Sequence, residues 1–492
     1  MEPQIDLHLL FSQLDTDTTD GSPRQLRLYH LIRSAILNGT LIKDARLPAT
    51  RVLAADLGIA RNSVLYAYER LTAEGFLGTG RHGTQVLLAP RNATKPPGTV
   101  PKPLPSGRSQ QLARFRGFGS SEERAFAPGS PDCDAFPRKQ WLSCLNAAWQ
   151  RAGPAQLRYG AAAGEPALRS AISNYLRAAR GVRCTPEQVL VTAGSQAGLD
   201  ACARVLADTG CTAWVENPGY LGVRATFAMA GHVVRPIPVD AEGMAPLESD
   251  WQQHRPKLIH VTPSQQFPLG VMLSLPRRLD MIRRAAAVGA WIIEDDYDSE
   301  FRYAGRPLAA MQGLVEDAPV IYVGTFSRMM FPALRIGYLV LPPGLTAIAS
   351  GMAELTWPGH AIEQEALADF ISRGNLIAHV RRMKRLYGER RTELIRSLER
   401  HLGSSIQVVG SAGGLQLTVL LDPALGVSDL RVSDAAAAQG LSIRPLSIYT
   451  MPDERSSAMN GFMLGFAAVP VSDIDDAVKR LRLAIAISRA GK

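Results

Sequence analysis

Apolar positions recur with helical spacing in three stretches near the N-terminus. They predict helices over residues 26–37, 48–57 and 61–74, each followed by a glycine that can end it. Two short strand-like runs, 76–79 and 84–87, flank a Gly-Arg-His-Gly turn and predict a hairpin. Two short helices joined by a tight turn and followed by a basic-tipped hairpin predict a winged helix-turn-helix.

The pattern changes after about residue 126. Apolar strand-like runs enter glycine-rich turns and alternate with alanine-rich helical segments to the end of the chain. This alternation predicts an α/β fold with a largely parallel sheet. Proline-rich residues 91–125 predict a linker between an N-terminal unit, 21–90, and a C-terminal unit, 126–492. Residues 1–20 are predicted to be an N-terminal extension.

Composition refines this picture only slightly. The 492 residues are 46% hydrophobic and 20% charged, as expected for a globular protein of more than one domain. A net charge of +9 permits a nucleic-acid partner. The five cysteines are scattered without a Cys-x-x-Cys pair, which argues against a disulfide framework and a zinc site. Without a signal-peptide pattern or an apolar run of about 20 residues, a cytoplasmic protein with no membrane partner is expected.

Residues 43–87 resemble the GntR class of bacterial regulators. The likeness runs through Arg46-Leu47-Pro48-Ala49-Thr50-Arg51 and Leu57-Gly58-Ile59-Ala60-Arg61-Asn62-Ser63-Val64. It implies that the third helix enters the major groove of double-stranded DNA by its N-terminus, where a helix also favours phosphate. The residues expected to contact DNA are Arg51, Arg61, Asn62, Ser63, Tyr66, Arg81 and His82. For each of them, a merely solvated polar side chain is the alternative.

The C-terminal unit resembles the fold-type I pyridoxal phosphate (PLP) enzymes of the aspartate aminotransferase class. Ala193-Gly194-Ser195-Gln196 follows an apolar strand and opens a helix, which offers N–H groups and a hydroxyl to a phosphate. The resemblance implies that Ser195, Gln196, Thr325 and Arg335 bind the PLP phosphate and that Tyr220 stacks on the pyridine ring. It also implies a large part over about 126–345 and a small α+β part over about 346–492.

An acidic cluster, Glu294-Asp295-Asp296-Tyr297-Asp298, ends another apolar strand. The resemblance assigns the pyridine nitrogen to Asp295 and the ring hydroxyl to Tyr297. A metal site or a solvated turn is the alternative for such a cluster. Gln265 occupies a loop position where regulators of this kind often carry histidine, and glutamine cannot become charged. Arg444 is a candidate partner for a substrate or effector carboxylate.

Arg328 follows Gly324-Thr325-Phe326-Ser327, where the resemblance implies the lysine that forms a Schiff base with PLP. A guanidinium is too basic and too delocalised to form that bond or to move a proton. One interpretation is a natural loss, with PLP bound non-covalently or not at all. A second is an incidental Lys-to-Arg change. The departure at Gln265 favours the first.

The order of winged helix, linker and aminotransferase-like unit resembles the MocR/GabR family of bacterial transcription regulators. The resemblance implies a head-to-tail homodimer that senses PLP, an amine or an amino acid and adjusts its DNA binding. The alternative is a PLP-dependent aminotransferase with an appended DNA-binding module. Catalysis would need a lysine, and none of the eight lysines of the chain lies in a matching motif. We therefore predict a regulator without transaminase activity.

Overall fold

The computed structural model describes residues 22–80, 83–87, 104–112, 124–154, 156–305, 309–356, 358–410, 412–453 and 459–490. The chain divides into two compact units, residues 1–104 and residues 105–492. Arg81 and His82, the contacts predicted at the tip of the wing, lie outside the described residues. The bounds predicted for the extension, the linker and the two parts of the C-terminal unit stay predictions.

The first unit contains three helices and a small sheet. Its elements are α1 (Arg24–Leu37), β1 (Arg46–Leu47), α2 (Thr50–Asp56), α3 (Arg61–Ala73), β2 (Leu77–Gly80) and β3 (Gly83–Val86). The winged helix-turn-helix prediction is confirmed. Strand β1 was not predicted, because two residues are too few to display a periodicity. It pairs antiparallel with β3 and gives the sheet order β1-β3-β2.

The apolar faces of the three helices form the core of this unit, and the side chains of Leu28, Ile32 and Leu71 are completely buried. A polar cluster fixes α1 to the end of α3. The Tyr29 hydroxyl donates to Glu74 Oε1 at 2.5 Å, and Arg33 reaches the other carboxylate oxygen at 3.3 Å. Helix α3 is therefore held at both its apolar face and its C-terminal end.

The second unit begins with helices and a large sheet. Its elements, in chain order, are α4 (Gly107–Leu112), α5 (Arg138–Arg151), α6 (Pro166–Arg180), β4 (Val189–Thr192), α7 (Ser195–Val205), β5 (Thr212–Asn217), α8 (Leu221–Ala230), β6 (Val233–Asp240), β7 (Gly243–Met244), α9 (Glu248–Gln253), β8 (Leu258–Val261), α10 (Leu275–Val288), β9 (Trp291–Asp296), β10 (Val320–Thr325) and β11 (Gly337–Val340). The strand order is β4-β11-β10-β9-β8-β5-β6-β7.

Most neighbours in this sheet are parallel, which confirms the α/β prediction. The exceptions are β11, which is antiparallel to both β4 and β10, and the short edge strand β7. The central strands are buried on both faces, and their near-continuous Val, Ile and Leu runs are typical of a sheet covered by helices. Because β4, β10, β9, β8 and β5 run in one direction, their carboxyl ends lie along one edge.

The described residues in the rest of the unit form five α-helices, one of them long, and a second, antiparallel sheet. Its elements are α11 (Thr346–Thr356), α12 (Ala361–Ser372), α13 (Asn375–Leu402), β12 (Ile406–Val409), β13 (Gln416–Leu421), α14 (Asp429–Ala438), β14 (Arg444–Pro445), β15 (Gly461–Gly465) and α15 (Val471–Ala490). The sheet order is β12-β13-β15-β14, and its own core lies against α13, α14 and α15. The prediction that the last part of the chain has an α+β structure is thereby confirmed. Across the described ranges, no helix combines the length and the apolarity that crossing a membrane requires.

Candidate functional site

The predicted cofactor residues lie along the carboxyl edge of the large sheet. Strand register brings them there: Thr325 at the end of β10 pairs with Gly337, and Gly337 pairs with Thr192 at the end of β4. On the other side of β10, Gly324 pairs with Asp296 at the end of β9. Ligands of open α/β sheets bind outside this edge. Segments that are far apart in the sequence therefore meet at one place.

One end of the site is built to hold an anion. Gly194 adopts a left-handed backbone (φ +87°) and leads directly into α7, whose first N–H groups have no carbonyl partner within the helix. The Arg335 guanidinium lies against Gly194, where a Cβ would come within 3.2 Å of Cζ. A Cβ on Gly337 would come within 2.7 Å of the Ser195 nitrogen. The two glycines thus allow a helix N-terminus and a guanidinium to converge, as phosphate binding requires.

Two other predicted phosphate ligands make internal contacts. Thr325 is buried, and its hydroxyl accepts the Ser327 N–H at 3.2 Å. The Gln196 amide donates to the Thr226 hydroxyl at 2.5 Å, and its oxygen accepts the Tyr220 hydroxyl at 3.4 Å. Gln196 therefore orients the tyrosine that was predicted to stack on the ring.

The other end of the site presents a carboxylate. Asp295 lies near the end of β9, is 6% exposed and pairs with His260 of β8 at 3.4 Å between Oδ2 and Nε2. His260 is itself almost completely buried. The prediction named Asp295 and missed His260, although a histidine inside the apolar strand Leu258–Val261 is a signal of a paired polar group.

Aromatic side chains close the space between the two ends. The Phe267 ring contacts those of Tyr220, Tyr297 and Tyr449, with centroid distances of 5.8, 6.1 and 5.2 Å and nearly perpendicular planes. The Tyr297 hydroxyl donates to the Gln265 carbonyl at 2.8 Å. Phe267 and Tyr449 were not predicted, because nothing in their local sequence distinguishes them from core aromatics.

The electrostatic neighbourhood of Tyr220 links the predicted residues. Burial raises the pKa of Tyr220 and Asp295 adds to the rise, while Arg328 and Arg335 oppose it. Burial also raises the pKa of Tyr449 to about 12. Arg444 opposes this rise, and Arg328 opposes it less strongly. Arg444 of β14 therefore adjoins the same aromatic group from the small part.

Arg328 reaches into this group from the segment after β10. Its guanidinium carbon lies 5.3 Å from the centre of the Tyr297 ring, within the range of a cation–π contact. A Cβ on Gly129 would collide with Arg328 Nη1, so a larger residue there would require the guanidinium to move. Nη1 is buried and has no hydrogen-bond partner among the described residues. An unpaired buried donor at this place fits an acceptor on a bound ligand.

A further carboxylate behind Tyr297 was not predicted as a site residue. Asp298 is 2% exposed, and burial raises its pKa to about 7 against the opposing effect of Arg328. Gln265, at the loop position where regulators of this kind often carry histidine, donates its amide to the Gly413 carbonyl at 2.9 Å. It joins the large sheet to the small part, because its loop turns toward the glycines that precede β13.

These groups fit PLP. A helix N-terminus and Arg335 suit a phosphate, Asp295 suits a protonated ring nitrogen, and Tyr220 supplies an aromatic face. The fit rests on the chemistry and placement of the donors. Their assignment to individual PLP atoms stays a prediction.

Glu216 at the end of β5 makes the stability of the folded chain depend on pH. It is 3% exposed, and its Oε2 contacts the Thr262 hydroxyl at 2.5 Å. Burial raises its pKa from 4.5 to about 7, although Thr262 and His260 oppose the rise. The folded chain thus binds this proton more tightly than the unfolded chain. Its contribution to stability is complete below pH 4.5 and is lost as the pH rises through about 7.

We therefore expect Glu216→Gln to become more stable relative to the wild type as the pH rises from about 5 to about 8, by up to about 3 kcal/mol. Urea unfolding followed by tryptophan fluorescence measures this, because all six tryptophans lie between residues 141 and 357. Glu316→Gln, at an exposed carboxylate, is the control. A difference between Glu216→Gln and wild type that does not change with pH would contradict the raised pKa of the buried Glu216.

The first unit presents the predicted DNA contacts on its surface. Arg51, Arg61 and Asn62 are exposed at the beginnings of α2 and α3. Arg61 Nε reaches the Thr50 hydroxyl at 3.5 Å and so connects the two helix starts. Ser63 is half-buried in the first turn of α3, and the half-buried Tyr66 hydroxyl accepts from Arg70 at 3.2 Å. The Tyr66 side chain is thus directed along the helix by its i+4 neighbour.

Comparison with known proteins supports the predictions for both units. Residues 24–86 match the model of bacterial regulatory proteins of the gntR family, and residues 129–481 match that of class I and II aminotransferases. The probable rhizopine catabolism regulatory protein MocR of Rhizobium meliloti is 39% identical over 95% of either chain. The chain belongs to the MocR-type family of transcriptional regulators.

A second relative and a solved structure are also similar to this chain. The pyridoxine biosynthesis transcriptional regulator PdxR of Corynebacterium glutamicum is 33% identical over 90% of this chain and 91% of its own. A crystal structure of the multiple substrate aminotransferase of Thermococcus profundus covers 79% of this chain and 97% of its own, with 24% identity and a TM-score of 0.68. That likeness concerns the fold. The chain is a DNA-binding transcriptional regulator, as predicted from its sequence.

Proposed function

We propose that the aminotransferase-like unit of this regulator binds PLP or a small amine or amino acid reversibly, and that this binding changes the affinity of the winged helix for DNA. One observation carries the proposal. Arg328 occupies the segment in which the resemblance implies the Schiff-base lysine, with a buried, unpaired Nη1 beside Tyr297 among the described residues. A guanidinium can hold a ligand by charge and hydrogen bonds, and it cannot bind it covalently.

The residues that would hold PLP divide into two groups. The start of α7, with Ser195, and the Arg335 guanidinium would bind the phosphate, while Asp295 would bind the ring nitrogen. His260 would keep the Asp295 carboxylate oriented. When bound, PLP supplies an aldehyde that is reactive toward primary amines. Arg328 would then offer a fixed cation, and Arg444 beside Tyr449 would receive an effector carboxylate.

The alternative function, an aminotransferase with a DNA-binding module, would need a lysine at the carboxyl edge of the sheet, and the part of the chain that the structure describes places none there. Lys257 stands before β8, so it lies at the amino edge, and its Nζ donates to the Gly289 carbonyl at 3.1 Å. Lys384 is exposed on α13. Neither is placed to remove a proton from a ligand held between Asp295 and Arg335. We propose that the chain has no transaminase activity.

A homodimer is part of the proposal. Leu142 and Trp149 lie seven residues apart on α5 and are each more than half exposed. Leu157 and Tyr159, in the loop that follows, are 66% and 91% exposed. Large apolar side chains gathered in one region of a surface are typical of a face that another chain covers. A head-to-tail arrangement of two copies would cover it, and MocR-type sequence resemblance supports that arrangement.

The affinity for DNA should fall steeply as the salt concentration rises, and it should change when a ligand binds. We expect Arg61→Ala to weaken binding roughly tenfold and to reduce the salt slope by about one, because one phosphate contact is lost. Fluorescence anisotropy, with DNA from upstream of the coding region and with unrelated DNA of equal length, measures both quantities. Arg431→Ala removes an exposed arginine from α14 and is the matched control.

The same titrations test ligand sensing. Added PLP, alone and together with amino acids, is expected to change the affinity for the upstream DNA while leaving the affinity for unrelated DNA unchanged. Equal affinities with and without every ligand would contradict sensing. Turnover of amino acids into oxo acids would contradict the non-enzymatic proposal and would leave DNA binding standing.

A further inference from the structure

A groove of about 680 Å³ lies between α6 and the α12–α13 pair. Alanines of α6 and branched aliphatic residues of α12 and α13 form its walls: Ala171, Ala178, Ala179, Ile371, Ile377 and Val380. Its volume lies within the range of small-molecule sites. It shares no lining residue with the group of Ser195, Tyr220, Arg328 and Arg335.

The floor of this groove is polar and fixed. The Tyr175 hydroxyl contacts Glu300 Oε1 at 2.9 Å, and Arg180 forms a buried ion pair with Asp296 at 2.9 Å. The Tyr322 hydroxyl also donates to Asp296, at 2.6 Å. The positive charge of Arg180 is therefore balanced within the protein. Burial raises the pKa of Glu300, with Asp296 adding to the rise, so its negative charge is disfavoured.

The rim of the groove is cationic. Arg302 projects from the loop after β9, while Arg381 and Lys384 are exposed one turn apart on α13. Within the ranges that the structure describes, neither Arg381 nor Lys384 takes part in an ion pair, and the Nε of Arg302 has no partner. Three cations thus face an apolar groove in whose lining Glu300 is the only carboxyl among the described residues. This charge distribution complements an anion and repels a cation.

We propose that this groove is a second ligand site, which takes a small organic anion with an apolar body, of the aryl- or alkyl-carboxylate class. The apolar body packs between α6 and α13, and the carboxylate meets Arg381, Lys384 and Arg302 at the rim. Arg180 lines the groove, and its ion-pair partner Asp296 directly follows Asp295 in β9. The groove is thus linked to Asp295 through one ion pair and the backbone of β9. The proposal does not depend on PLP binding.

Isothermal titration calorimetry of the full chain with 4-phenylbutyrate tests this site, and 4-phenylbutanol is the uncharged matched ligand. We expect the carboxylate to bind roughly tenfold more tightly than the alcohol, because only the carboxylate meets the cations. Arg381→Ala/Lys384→Ala removes two exposed cations and is expected to abolish that preference. Ala178→Trp fills the groove from the exposed face of α6 and is expected to abolish binding of both ligands.

The double variant Arg431→Ala/Arg482→Ala makes the same change in net charge at exposed positions outside the groove, and it should bind 4-phenylbutyrate as the wild type does. No measurable binding to the wild type would overturn the proposal. Equal affinity for acid and alcohol would also overturn it. So would unchanged binding by Ala178→Trp, since the ligand would then lie elsewhere. All altered positions are exposed, and circular dichroism would test whether each variant is folded.

Discussion

Arg328→Lys is expected to convert reversible PLP binding into covalent attachment. Wild-type protein should release PLP on gel filtration and should carry no pyridoxyl group after treatment with borohydride. The variant should retain PLP and give a stoichiometric borohydride-fixed adduct, which mass spectrometry of peptides locates at residue 328. The physical reason is that a primary amine can condense with an aldehyde, whereas a delocalised guanidinium does not.

The structure offers a matched control for that experiment. Arg335→Lys makes the same chemical change at the anion-binding end, beside Gly194, and should gain no fixed adduct while binding PLP more weakly. A borohydride-fixed adduct in the wild type would contradict non-covalent binding. If Arg328→Lys binds PLP and stays unmodified, residue 328 is not the attachment position, and the assignment from resemblance is wrong.

Arg180→Met is expected to lower the free energy of unfolding of the C-terminal unit by about 3–5 kcal/mol, because it leaves the Asp296 carboxylate buried without its cation. The two partners lie 2.9 Å apart and are 5% and 2% exposed. The hydroxyls of Tyr322 and Ser299 still donate to Asp296, and they cannot neutralise its charge. Urea unfolding followed by tryptophan fluorescence measures the change.

An exposed pair with nearly the same geometry separates burial from ion pairing. Arg204 and Asp200 of α7 lie 2.8 Å apart and are 64% and 42% exposed. Arg204→Met should cost at most about 1 kcal/mol, because solvent already screens that pair. Equal losses in the two variants would mean that desolvation of Asp296 does not govern the stability of this region.

Much of the architecture could be predicted from local patterns. Helical spacing gave the three N-terminal helices, and the alternation of strands and helices gave the parallel sheet. Strand β1 could not be predicted in this way, since its two residues become a strand only by pairing with β3. The antiparallel strand β11, inserted between parallel β4 and β10, depends on long-range pairing in the same way.

The residues of the candidate site also fall into two groups, those that local sequence could predict and those that it could not. Motifs pointed to Ser195, Asp295 and Arg335, because glycine-rich turns and acidic strand ends have recognisable local chemistry. They did not point to His260 or Tyr449, whose neighbours come from other strands and from the small part. They also could not foresee that Gln265 turns to Gly413, since a side chain chooses its hydrogen-bond partner after the chain has folded.

The sequence by itself determined the family, the order of the two units and the presence of arginine at position 328, where the resemblance implies a lysine. These depend on residue identity and on spacing along the chain, which are fixed before folding. The tertiary structure decided which groups meet: the register of the parallel strands brings α7, β8, β9 and β10 to one edge, and Gly129 makes room for the Arg328 guanidinium. Burial then decided the protonation of Glu216 and the charge pairing of Arg180, because both depend on the loss of water around them.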